Sequence, residues 1–134
     1  MTGTGIISSS AKPVGKQALG EFVPLRNDLR PGLLISEVQF SLQTKLAYEY
    51  VARSPADKPI VCVAVARWPS GRTRIVLGGY GDAPITALDG EELDGAQEVV
   101  EYAFMTAQDQ WASAEYRMDV AKTLVGRCLK AIED

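Results

Sequence analysis

No histidine occurs among the 134 residues. That absence removes the imidazole base of Ser/His and Cys/His nucleophile pairs and every zinc site that uses a histidine ligand. Cysteine is scarce as well: the two present, Cys62 and Cys128, each lie inside an apolar run, far apart in the chain. Such a pair suits two buried, reduced thiols better than a disulfide framework or a short-spaced metal site. No stretch approaches the roughly 18 consecutive apolar residues of a membrane span, and Met1 to Ile7 lacks a charged segment ahead of an apolar one. The expectation is a cytoplasmic protein that binds no membrane. Excess positive charge is also missing, since the formal net charge is −3 and the pI is about 5.0. A nucleic-acid partner, which needs a basic face to release counterions, is not expected.

What is present is ordinary in bulk, 46% apolar and 23% charged. A chain of this length buries roughly two thirds of its unfolded surface on folding and needs no disulfide or metal to hold a core. The charge is uneven. Residues 1 to 90 carry ten basic against seven acidic side chains, and residues 91 to 134 carry four against ten. The acidic C-terminal third reads as solvated helix faces.

Residues 1 to 32 hold five Gly, three Pro and three Ser with no sustained period, so they read as an extended lead, disordered or lying on a surface. Within it, Gly3-Thr4-Gly5 imitates part of a dinucleotide fingerprint, and Ser9-Ser10-Ala11-Lys12 has S-x-x-K spacing. Neither has the flanking strand, helix or companion motifs its chemistry requires. From Pro31-Gly32 onward a single domain over 33–134 is expected. Leu34, Val38, Phe40 and Leu42 share one parity and predict a half-buried strand. Ala47 to Arg53 is extended or helical, ended by Ser54-Pro55. Ile60 to Ala66, β-branched and small, predicts a central strand. Trp68-Pro69-Ser70-Gly71 predicts a chain reversal into a returning arm, Arg72 to Leu77, with Ile85 to Ala87 resuming the sheet after the glycines. Asp94 and Gln97 resemble a capping pair before a helix over about 95–108, and Ser113 caps a second helix whose apolar stripe runs from Val120 to Ile132. Strands followed by helices give an α+β fold, a mostly antiparallel sheet of three to four strands backed by C-terminal helices.

No catalytic or metal-binding constellation is expected. Glu91, Glu92, Asp94 and Glu98 gather at a helix start without a Lys partner. Arg67, Arg72 and Arg74 flank the hairpin as a solvated strand face or a small anion patch. Trp68 and Trp111 read as core edges or partner contacts, and Tyr116 and Arg117 as first-turn packing in which the arginine could reach a carboxylate. The glycine-rich stretch Gly78-Gly79-Tyr80-Gly81-Asp82 is the leading candidate site. Missing Cβ atoms there let backbone N–H groups approach a planar or anionic ligand, although a plain turn explains the glycines as well.

The ordered series Arg74-Ile75-Val76-Leu77-Gly78-Gly79, Pro84, Leu93-Asp94-Gly95 and Ser113-Ala114-Glu115-Tyr116-Arg117, with Leu124, Arg127 and Leu129 behind it, resembles one family. It is similar to the C-terminal domain of the flavoprotein (medium, FAD-binding) subunit of molybdenum hydroxylases, of the carbon monoxide dehydrogenase, xanthine dehydrogenase and aldehyde oxidase type, over roughly residues 32 to 132. In that family FAD sits on two N-terminal lobes and receives electrons from a molybdenum centre through iron–sulfur clusters. The resemblance implies a domain that packs against the flavin lobes and neighbouring subunits and supports electron transfer without being catalytic alone. It presents Gly78, Gly79, Tyr80 and Asp82 to the flavin in the assembled subunit. FAD then belongs to the parent complex and is not expected to bind this chain alone. Met1 fits a separately encoded subunit or a fragment. The competing expectation is a stand-alone interaction or dimerisation module, a homodimer, with no catalytic role.

Overall fold

Residues 4–9, 12–29 and 33–134 are described by the computed structural model, with side chains described over 15–28 and 34–134. The chain divides into two units, Met1–Leu42 and Gln43–Asp134. In the first, β1 (Thr4–Ser9), β2 (Lys12–Ala18) and β3 (Leu33–Gln39) form an antiparallel sheet in the order β2-β1-β3, and α1 (Leu19–Leu29) continues from β2. Paired strands and a helix therefore stand where an extended lead was expected over 1–32, and the division falls after Leu42 instead of Gly32. The physical reason is that Gly, Pro, Ser and Lys break up any period in β1 and β2, and β1 takes its second ladder from β3, a segment distant in sequence that no local pattern announces. Pro13 is tolerated because β2 is an edge strand. The expected half-buried face is corrected too: Leu34 and Val38 of β3, and Phe40 and Leu42 beyond its end, are all exposed. Ser10, Ala11, Pro31 and Gly32 lie outside the described residues.

The second unit is an antiparallel meander of β4 (Lys45–Val51), β5 (Val61–Arg67), β6 (Thr73–Gly78) and β7 (Ile85–Gly90), followed by α2 (Ala96–Ala103) and α3 (Ala114–Glu133). The α+β expectation holds. Ala47 to Val51 is strand, and β5 lies between β4 and β6 as its apolar composition requires. Trp68 donates its N–H to Arg72 O at 2.9 Å and accepts from Gly71 N at 2.9 Å. Gly71, at φ +93, supplies the left-handed residue that closes this hairpin.

One face of the sheet is dry. Val61, Val63 and Val65 of β5 and Ile75 and Leu77 of β6 are fully buried against Val100 and Phe104 from the α2 region and Ala121, Leu124, Val125, Cys128 and Ile132 of α3. Fully burying each large aliphatic side chain contributes about 1.5–3 kcal/mol, so this layer is the main hold on the unit. Ser113 caps α3 as its sequence predicts, accepting from Tyr116 N at 3.2 Å. Asp94 does not cap α2. The cap residue is Gly95 at φ +75, with no side-chain cap bond, and the helix stops at Ala103, short of the expected 108. The chain turns there because Phe104 is drawn into the core at 0% exposure.

Candidate functional site

The glycines at the end of β6 and after it have separate causes. Gly78 lies opposite Cys62 in the β5–β6 ladder, and a Cβ on it would come 2.7 Å from Cys62 Sγ. Gly79, at φ +100, lies so close to the Ile60 carbonyl that a Cβ would collide with it. Gly81, at φ +76, has open space where a Cβ would be. Tyr80 is half-buried, its ring centroid 5.3 Å from the Arg117 guanidinium carbon, and Asp82 is exposed.

Ile60 is the junction. Its N–H donates to Val51 O at 2.8 Å, and its carbonyl, the one Gly79 approaches, accepts from Arg117 Nε at 3.1 Å. Arg117 is 1% exposed, and the rest of its guanidinium is also engaged. Nη1 donates to Ala107 O at 2.8 Å and Ala112 O at 3.2 Å, and Nη2 donates to both Asp109 oxygens at 3.1 and 3.0 Å. Partial burial works against the Asp109 charge. The N–H groups of Trp111 and Ala112 together with Arg117 outweigh it and hold the carboxyl below the usual range. The arginine thus serves as a buried tie between α3, the segment before it and the start of β5.

Beside this junction opens a cleft of 470 Å³ in which Arg53, Lys58, Gly79, Gly81, Asp109 and Trp111 meet. Asp57, Pro59, Ile60 and Arg117 complete its lining. Of the site residues expected from the sequence, Gly79 lines it. Gly78 is built into the sheet against Cys62, Tyr80 packs by Arg117, and Asp82 is not among the lining residues. The Arg53–Ile60 connection and Trp111 enter from elsewhere in the chain, where sequence reasoning misses them. Their signal is modest: a run of charge between two prolines, and a tryptophan outside any apolar stripe. Trp111 is exposed, with the Arg53 guanidinium carbon 5.0 Å from its ring centroid.

The hairpin arginines form a different cluster. Arg72 and Arg74 both grip Asp89, at 2.7 and 2.8 Å, and each guanidinium carbon lies 5.6 Å from the Trp68 ring centroid. Arg72, helped by Arg74, draws Asp89 down to about 2 despite its partial burial. The anion that these arginines bind is thus supplied by the chain. Burial raises the Cys62 thiol and pushes Cys128 up to about 11, leaving both unreactive at neutral pH. Among the described residues no group of three or more Cys, Asp or Glu could hold a metal ion, and no helix is long and apolar enough to cross a membrane.

Neither a protein-family model nor a curated protein sequence matches the chain. Its fold does have solved counterparts. A chain of quinoline 2-oxidoreductase from Pseudomonas putida 86 superposes with a TM-score of 0.73 at 24% identity, over 98% of this chain and 53% of that one. Carbon monoxide dehydrogenase from Hydrogenophaga pseudoflava, in a form lacking the Mo-pyranopterin moiety, matches at TM-score 0.61 and 22% identity, over 98% and 52%. Reconstituted CO dehydrogenase from Oligotropha carboxidovorans matches at 0.65 and 22%, over 96% and 52%. The chain therefore has the fold of about half of a chain from such molybdenum hydroxylases. The likeness takes in the first unit as well, which the motif resemblance over 32 to 132 leaves out.

Proposed function

We propose that this chain is the C-terminal part, or a separately encoded portion, of the FAD-containing medium subunit of a molybdenum hydroxylase. In this reading it packs against flavin-bearing lobes and neighbouring subunits and supports electron transfer without catalysing a reaction alone. The observation that carries the reading is the fold match across nearly the whole chain, at half the length of the solved chains. The rim suits an edge contact with a flavin. Arg117 has no donor to spare for a phosphate, because its hydrogen bonds all end on protein oxygens. The rim at Gly79 to Gly81, by contrast, offers bare backbone with open space above Gly81. Those residues, with Tyr80 behind them and Asp82 beside them, would form the flavin-facing loop, and the bound flavin would supply the redox chemistry.

Co-expression with the flavin-bearing lobes tests this. The expected result is a stoichiometric complex with the absorbance of bound FAD, while the chain alone is colourless.

One observation favours a second reading, a self-associating module: Leu46, Tyr48 and Tyr50 project from the edge strand β4 and are all exposed, the two tyrosines stacked 5.7 Å apart. Light scattering over a dilution series separates the two. A homodimer that persists on dilution and excludes the lobes would replace the flavoprotein reading.

A further inference from the structure

We infer that Arg53 and Lys58 are this chain's electrostatic contribution to the flavin, holding positive charge beside the Gly79–Gly81 rim so that the reduced ring is favoured. The inference rests on the reading under Proposed function and concerns side chains that the glycine motif does not include. Its basis is the charge balance of the cleft. Asp109 and Arg117 form a closed pair, 3.0 Å apart. Asp57, which accepts from the Ser54 hydroxyl at 2.9 Å, is the one other carboxylate in the lining. Arg53 and Lys58 line the same cleft, and among the described residues neither has an ion-pair partner. One positive charge is therefore left over. Arg53 is steadied over the Trp111 ring, a contact that orients a guanidinium without neutralising it. Lys58 is exposed and is followed by Pro59, whose ring fixes its own φ.

Two electrons and one proton added to an oxidised flavin leave one negative charge on the ring, the electrons arriving from the iron–sulfur clusters of the parent complex. Positive side chains close to that edge stabilise the added charge and raise the potential.

The test uses the co-purified complex with FAD bound, comparing wild type with Arg53→Gln, Lys58→Gln and the double variant. FAD stoichiometry is measured beside the midpoint potential from a dye-equilibrated titration. Each single change is expected to lower the reduced-to-oxidised ratio about tenfold, roughly 30 mV for a two-electron couple, and the double change by more. Lys130→Gln, outside the cleft, should leave the potential in place. Unmoved potentials at full FAD content overturn the inference. Variants that shed FAD without shifting its potential overturn it too, giving the pair a holding role instead. A wild-type complex without FAD is a different result, because it defeats the flavoprotein reading itself and this inference with it.

Discussion

At the scale of single residues, Arg117 shows how a position inside an ordinary helix start becomes the fixed point of a unit. Its guanidinium is buried, and its five hydrogen bonds tie α3 to two other stretches of chain, Ile60 and the segment from Ala107 to Ala112. Truncation leaves the Ile60, Ala107 and Ala112 carbonyls without these partners. Arg117→Met is therefore expected to cost about 3–5 kcal/mol in urea unfolding. Arg117→Lys should recover little, since an ammonium lacks the planar fork. A loss below about 1 kcal/mol would show that the tie is dispensable. Sequence alone offers packing with a carboxylate in reach, and that carboxylate is Asp109. The three carbonyls cannot be foreseen, because backbone oxygens carry no signature in a sequence. The same holds for Gly79, where spacing suggests room for a ligand and the close approach of Ile60 O supplies the reason for a glycine.

At the scale of elements, legibility follows burial. β5, β6 and α3 are readable because their apolar residues recur at the period of the element that buries them, from Val61 to Val65 and from Ala121 to Ile132. α1 is not, although Leu19, Phe22 and Val23 have helical spacing, because Gly20 and Pro24 interrupt it. The pairing of β6 with β7 has an electrostatic part that can be isolated. Asp89 sits at about 2 in the folded protein, below its ordinary 3.8. A depressed carboxyl contributes stability above its unfolded value, and that contribution fades as pH falls through the folded one. Solvent screening reduces it to about 1 kcal/mol. Asp89→Asn should thus be less stable than wild type by about that amount at pH 7, with the two thermal unfolding curves converging between roughly pH 4 and pH 2. A difference that is constant with pH would mean that packing, and not charge, is what the substitution removes.

At the scale of the whole molecule, every buried core residue among those described belongs to Gln43–Asp134. That segment, expressed alone, should unfold in one cooperative transition with dispersed amide resonances. A broad transition with collapsed dispersion would show that Met1–Leu42 is needed for the fold. The solved chains add what sequence reasoning could not, a likeness that takes in the first unit even though β1 and β2 give no periodic signal. The shared Ile60 carbonyl bears on how anything meets this surface. Because one oxygen is held by a buried arginine on one side and pressed by Gly79 on the other, the rim has its shape before any ligand arrives. Little ordering entropy is then left to lose on contact. Docking against the rim should proceed as a single phase whose rate rises linearly with concentration, with no slow closing step behind it.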